Sequence, residues 1–139
     1  VEAALLGDLL AVLLQAYDDT DGASGRIRVS VPRRDIGEAA ATTLALVVHE
    51  LATNSLKYGA LSAERGTLDV ACNAPGEEVV LVWTERGGPP TVEPSAPVGF
   101  GSELIRRSMA HQLDGSLEYN WSAEGLIVTL RMRRSRLSA

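Results

Sequence analysis

The stretch LVVHELATNSLKYGA, residues 46–60, is the most informative segment of this chain for its fold and its site. It belongs to a helical pattern over 37–58 that includes three consecutive alanines and stops at Gly59, where a C-cap glycine is expected. At about 100° per residue, Glu50, Asn54 and Lys57 project from one face, within about 60° of each other. Apolar side chains fill the opposite side, so the pattern predicts a long helix with a buried back and one polar face.

The flanking sequence predicts the rest of one α+β domain. Apolar spacing of three and four predicts helices over 2–16 and 102–113, and alternation predicts strands over 26–31, 67–73, 79–83, 116–121 and 126–132. The second and third strands are joined by the short turn 74–76, which favours an antiparallel hairpin. We therefore expect a two-layer α/β sandwich, with a mixed, mostly antiparallel sheet of about five strands backed by three helices.

Composition excludes several classes of protein. The chain has 139 residues, 45% apolar and 22% charged, which is typical of one globular domain over 1–139. A net charge of −5 argues against a general nucleic-acid binder, and a single cysteine, Cys72, excludes an internal disulfide. No apolar run reaches the roughly 18–20 residues of a membrane span. We expect a cytoplasmic domain without nucleic-acid or membrane contact, and its start at Val1 favours a piece of a longer protein.

The polar helix face suggests metal and phosphate chemistry. A carboxylate and an amide oxygen, such as those of Glu50 and Asn54, are suited to hold Mg²⁺, and a lysine one turn further can meet a phosphate. The alternative is an ordinary solvated face with i, i+3 and i, i+4 pairing. Spacing alone leaves both interpretations open.

A long loop over 87–101 is the second candidate feature. It contains four of the six prolines, which exclude a helix or a central strand, and its glycines would let backbone N–H groups approach an anion. Ser102 is the expected N-cap of the next helix, whose free N–H groups favour phosphate. A loop hinged by glycines at both ends is typical of a lid, with a plain surface loop as the alternative. Just before it, a carboxylate in WTE, residues 83–85, could accept from the exocyclic amine of adenine.

Three ordered motifs resemble the HWE family of bacterial sensor histidine kinases: HELATNSLKYGALS (49–62), WTERGGP (83–89) and GFGSELI (99–105). His49 matches the histidine of the family name, and Trp83 and Glu85 match its Trp-x-Glu motif. The match runs from about residue 26 to 132. It implies the ATP-binding catalytic domain of the GHKL superfamily, the Bergerat fold, in which helices back a mixed sheet.

The resemblance also implies a set of site residues. Glu50 and Asn54 lie in the N-box and are the expected catalytic pair, with Asn54 as the Mg²⁺ ligand and Lys57 and Tyr58 near the phosphates or ribose. Glu85 stands where the superfamily reads adenine. The other expected ATP contacts are His49, Gly87, Gly88, Gly99, Phe100, Gly101, Ser102 and Leu104. Thr129 is either a second adenine contact or an ordinary strand threonine.

The implied function is that of a two-component histidine kinase that binds Mg²⁺ and ATP and transfers the γ-phosphate to a histidine on a separate helical dimerisation domain. Neither His49, in the N-box, nor His111, on an amphipathic helix, is expected to be that acceptor. The helix over 1–16 is a candidate link to the helical domain, and a response regulator would be an indirect partner. The alternatives are a degenerate nucleotide- or protein-binding regulatory module and a GHKL serine kinase acting on a partner protein.

Overall fold

The computed structural model describes residues 4–18, 25–32, 34–90 and 100–138. The elements follow in the order β1 (Ala4–Leu5), α1 (Leu6–Asp18), β2 (Ile27–Ser30), β3 (Asp35–Ile36), α2 (Glu38–Tyr58), a 3₁₀ helix (Ala60–Ser62), β4 (Thr67–Asn73), β5 (Glu78–Arg86), α3 (Phe100–Leu113), β6 (Ser116–Ser122), β7 (Gly125–Arg133) and α4 (Arg134–Leu137). All five predicted strands and all three predicted helices are present. The short elements β1, β3 and α4 were not predicted, because two to four residues are too few to show a periodicity.

The main sheet has five strands in the order β2-β4-β5-β7-β6. β2 pairs with β4 in parallel, and the other three pairs are antiparallel. This confirms the predicted mixed, mostly antiparallel sheet and the hairpin formed by β4 and β5. The β1 and β3 strands form a separate two-stranded antiparallel sheet.

One face of the sheet, here called the inner face, packs against helices α1, α2 and α3. Along β5 the inner face carries Val79, Leu81, Trp83 and Glu85, all buried. The register places Val128 of β7 beside Trp83, and the apolar side chains of both strands join one core with those of the helices. The structure is thus the α+β sandwich expected from the alternation of the strands.

Helix α2 lies in the centre of the helical layer, in contact with α1 and α3. Its buried residues recur along one side, from Ala40 to Ser55. Within the ranges given above, no helix combines the length and the apolar character that crossing a membrane requires.

Two predicted helix boundaries are wrong. α1 begins at Leu6, four residues later than the apolar pattern indicated, and α3 begins at Phe100, two residues earlier. Ser102 therefore lies inside the first turn of α3 and is not its N-cap. A capping preference is a local tendency of about 1 kcal/mol, so a favourable cap residue does not by itself determine where a helix begins.

Candidate functional site

The polar face of α2 is present as the spacing predicted. Glu50 and Asn54 are half-buried, whereas Lys57 is exposed. The Asn54 amide donates an N–H to Oε1 of Glu50 at 3.5 Å. This contact leaves the amide oxygen of Asn54 and the second carboxylate oxygen of Glu50 as hard oxygen donors, the type that Mg²⁺ prefers. Tyr58 ends the helix at 73% exposure.

A buried carboxylate, that of Glu85, lies at the end of β5 and is 3% exposed. Its Oε1 accepts the hydroxyl proton of Ser55 at 2.9 Å and the backbone N–H of Ala60 at 3.0 Å. Its Oε2 accepts the indole N–H of Trp83 at 2.8 Å. Because Ser55 directly follows Asn54, the Glu85 carboxylate is joined to the same turn of α2 that carries the oxygen pair.

Glycines let the backbones come together around this carboxylate. A Cβ at Gly59 would overlap Oε1 of Glu85, and a Cβ at Gly88 would lie 2.5 Å from the Cα of Ala60. Gly59 does occupy the predicted C-cap position, but its φ of −106° is not the left-handed conformation of a typical C-cap glycine. Its requirement for glycine comes instead from the approach of Glu85.

Arg26, the residue directly before β2, holds the segment that follows α2 in place. Nε of Arg26 donates to the carbonyl of Gly66 at 2.9 Å, and its guanidinium also donates to the carbonyl of Ala63 at 2.6 Å. The segment over 60–66 is therefore held against both the sheet and Gly88, next to the end of β5.

The neighbouring edge strand adds two aromatic side chains that were not predicted. Tyr119 and Trp121 of β6 stack with ring centroids 5.6 Å apart and an angle of 7°. Both are half-buried on the inner face. Burial raises the pKa of the Tyr119 phenol, the charge of Arg106 on α3 opposes this shift, and the charge of Glu50 adds to it. The Tyr119 phenol therefore stays neutral near pH 7, close to the polar face of α2.

His49 points away from this group of residues. Its Nδ1 and the hydroxyl of Tyr17 on α1 form a hydrogen bond of 2.8 Å, and the two rings lie 6.5 Å apart. The histidine thus connects α2 to α1, on a different side of α2 from Glu50 and Asn54.

Thr129 is not brought together with the other candidates. Val128 and Leu130, its neighbours on β7, are buried in the inner face, so Thr129 lies on the opposite face of the sheet. Of the two interpretations of this residue, the ordinary strand threonine fits the structure. Leu126, which pairs with Glu85, is the β7 residue at this end of the inner face.

The lid falls mostly outside the described residues. Residues 91–99, which include Gly99, are not described, and Phe100 and Gly101 are described only as backbone in the first turn of α3. Ser102 is half-buried and Leu104 is 38% exposed. Gly87, in the described part of the loop, has a φ of +79°, a conformation that favours glycine.

Sequence reasoning missed Ser55. A serine between Leu51, Ala52 and Leu56 on the apolar side of α2 was the available signal, because a buried hydroxyl needs a partner. The sequence could not say which partner, since Glu85 lies 30 positions further along the chain.

No protein-family model matches the chain. The blue-light-activated histidine kinase 1 of Erythrobacter litoralis is 36% identical over 126 residues, which cover 90% of this chain and 34% of that protein. The chain thus spans about a third of the length of this curated relative. A solved histidine kinase domain from the blue-light-activated histidine kinase EL346 of Erythrobacter litoralis superposes with a TM-score of 0.80 at 18% identity, over 98% of this chain and 66% of that one. The catalytic domain of the histidine kinase ThkA gives a TM-score of 0.71 at 15% identity, over 96% and 98% of the two chains.

The five-stranded sheet with its helices on one face, together with these likenesses, defines the class: a catalytic domain of the histidine-kinase type, in the GHKL superfamily. Within that class, the 36% identical relative supports the resemblance to the HWE family that the ordered motifs around His49, Trp83 and Glu85 carry. The prediction of a histidine-kinase catalytic domain is confirmed.

Proposed function

We propose that this chain binds ATP and Mg²⁺ between α2, the end of β5 and the start of α3, and that it presents the γ-phosphate to a histidine on a separate helical domain. The observation that carries the proposal is the hydrogen bond from Ser55 to the buried carboxylate of Glu85. It joins an acceptor suited to the exocyclic amine of adenine to the helix turn that carries Asn54.

The residues of this chain supply binding and orientation. Glu85 accepts from the adenine amine, and the glycines at 87 and 88 let the ring approach the backbone. Lys57, on the exposed last turn of α2, meets the phosphates, and Tyr58 lies beside them or the ribose. His49 acts at the edge of the site by holding α1 against α2. Gly99, Gly101 and Ser102, the glycine box that the resemblance implies, contact the phosphates, and Phe100 and Leu104 are further ATP contacts.

Glu50 and Asn54 would hold the magnesium ion. Among the described residues, no group of three or more His, Cys, Asp or Glu side chains is close enough to form a protein-only metal site. An ion held by one or two oxygen side chains, with phosphates and water completing the shell, is the usual arrangement for Mg²⁺ with a nucleotide. An ion held there would supply positive charge that neutralises the phosphates.

Calorimetry of ATP and ADP, with and without Mg²⁺, tests the binding step. Asn54→Ala should abolish the increase in affinity that Mg²⁺ gives, because the amide oxygen is lost and the apolar back of α2 is untouched. Asn73→Ala is the matched control, because Asn73 is exposed and lies at the end of β4 that is farther from the residue paired with Glu85. An Asn54→Ala variant with the parent's response to Mg²⁺ would contradict the metal role.

Phosphotransfer requires a second domain in this proposal. The hydrogen bond of His49 to Tyr17 and the position of His111 on the exposed side of α3 support the proposal that neither histidine attacks the γ-phosphate in line. With radiolabelled ATP, the chain alone should gain no label, and a helical domain carrying an acceptor histidine should gain acid-labile, base-stable label in trans. Strong label of that kind on the chain alone would overturn this part of the proposal. A response regulator would then take the phosphoryl group from that domain.

A further inference from the structure

We propose that Trp83 is a positioning residue that sets the base specificity of this site by orienting the Glu85 carboxylate. The inference rests on the proposed function, because it assumes that Glu85 accepts a hydrogen bond from the base of a nucleotide. In this proposal, the indole N–H of Trp83 determines which oxygen of Glu85 can accept a hydrogen bond from the ligand, and it fixes the orientation of that oxygen.

The hydrogen-bond inventory of Glu85 carries the first step. A carboxylate offers about four acceptor positions, two on each oxygen. The Ser55 hydroxyl and the Ala60 N–H occupy both positions on Oε1, and the Trp83 indole occupies one on Oε2. Among the residues that the structure describes, no further donor reaches Oε2, so one position on this oxygen is left, and the donors around the carboxylate define its direction.

The second step is that Trp83 cannot easily move. It is 2% exposed and points into the inner face, with Val70 of β4 and Val128 of β7 as its cross-strand neighbours. Trp83 and Glu85 are two residues apart on β5, so their side chains stand on the same face. The indole N–H is therefore a fixed donor, held by the core of the domain.

The third step concerns the freedom of Glu85 without that donor. The last torsion of a glutamate side chain is broad, so a carboxylate held through Oε1 alone can turn. Turning would move the free position on Oε2 away from an N–H donor of the ligand. The hydrogen bond from the Trp83 indole to Oε2 thus fixes the orientation of the Glu85 carboxylate, and without it the carboxylate can rotate.

A directed, acceptor-only group discriminates between bases. Adenine carries an exocyclic amine at the position where guanine carries a carbonyl oxygen, so adenine can donate to Oε2 whereas guanine places an acceptor against an acceptor. Buried polar groups left without a partner are the strongest source of such discrimination. We therefore expect the preference for ATP over GTP to depend on Trp83 although Trp83 need not touch the nucleotide.

Trp83→Phe keeps an aromatic ring and removes the N–H. Calorimetry with ATP, GTP and inorganic triphosphate should show ATP binding weakened by about ten- to a hundredfold, with GTP and triphosphate nearly unchanged. Val128→Ala is the matched control, because it loosens the packing beside Trp83 without removing a donor to Glu85. This control should leave the ratio of ATP to GTP affinity at the parent value. If Trp83 acted only through packing, both variants would change this ratio to a similar extent or neither would change it.

A second variant covers the case in which Trp83→Phe does not fold. Benzothienylalanine placed at position 83 has nearly the shape of tryptophan and lacks only the N–H, so it should fold and should show the same loss of ATP preference. If this variant keeps the parent's ratio of ATP to GTP affinity, the inference is wrong and the proposed function stands. If the parent chain binds no ATP, the proposed function fails, and the inference fails with it.

Discussion

Replacing Gly59 with alanine measures how closely the end of α2 approaches the end of β5. A Cβ at this position would overlap Oε1 of Glu85 and would lie 3.1 Å from the Cα of Ser55. The φ of −106° at Gly59 is open to any L-residue, so the cost comes from the steric contact and not from the backbone dihedral. Alanine can be accommodated only if the Glu85 carboxylate moves.

The size of the effect follows from what that movement disturbs. Oε1 accepts from Ser55 at 2.9 Å and from Ala60 at 3.0 Å, and a hydrogen bond to a charged group contributes about 1.5–3 kcal/mol. Weakening both should outweigh the roughly 0.4–1 kcal/mol that a glycine-to-alanine change gains through the unfolded state. We expect Gly59→Ala to lower the free energy of unfolding by about 2–4 kcal/mol.

Urea denaturation of four proteins isolates this contact: the parent, Gly59→Ala, Glu85→Ala and the double variant. In the Glu85→Ala background the overlapping atom is gone, so Gly59→Ala should change the free energy of unfolding by less than about 1 kcal/mol. The coupling between the two positions should therefore be about 2 kcal/mol or more. Additive effects, within about 0.5 kcal/mol, would refute the close approach of Gly59 and Glu85.

Three further predictions concern other parts of the domain. Tyr17→Phe removes the hydroxyl bonded to His49 at an exposed site, so it should lower the free energy of unfolding in urea by no more than about 1 kcal/mol, and a loss well above that would contradict a surface contact. Arg26→Lys loses the donation to two carbonyls and should lower the free energy of unfolding by about 1–3 kcal/mol in the same assay. The control Arg28→Lys, at an exposed position, should change it by less than about 0.5 kcal/mol, and equal losses would show that the two bonds of Arg26 do not stabilise the fold. Burial raises the pKa of the Cys72 thiol, although the charge of Arg34 opposes the shift, so at pH 8 the folded chain should react with iodoacetamide more slowly than glutathione does, and rapid labelling of the folded chain would rule out this protected thiol.

Periodicity was enough to predict much of the architecture. The apolar back and polar face of α2, the alternation in the five strands and the turn at 74–76 are local properties, and each appears in the structure within a few residues. The alternation in β7 also indicates the position of Thr129. This residue stands between Val128 and Leu130, two buried apolar residues, so the pattern places it on the outer face of the sheet.

The motifs identified four residues of interest, Glu50, Asn54, Trp83 and Glu85. Carboxylate, amide and indole groups at fixed spacing limit the kinds of ligand that a site can bind. Their arrangement could not be predicted, since a hydrogen bond needs a distance and a direction, and neither is encoded by spacing between separate elements. Trp83 and Glu85 meet because a strand puts residues two apart on one face, but Ser55 reaches Glu85 across 30 positions only when α2 packs on β5. The same holds for Tyr17 and His49, 32 positions apart. Local steric preferences act within a few residues and are visible in the sequence, whereas these contacts exist only once burial of the apolar faces has brought the elements together.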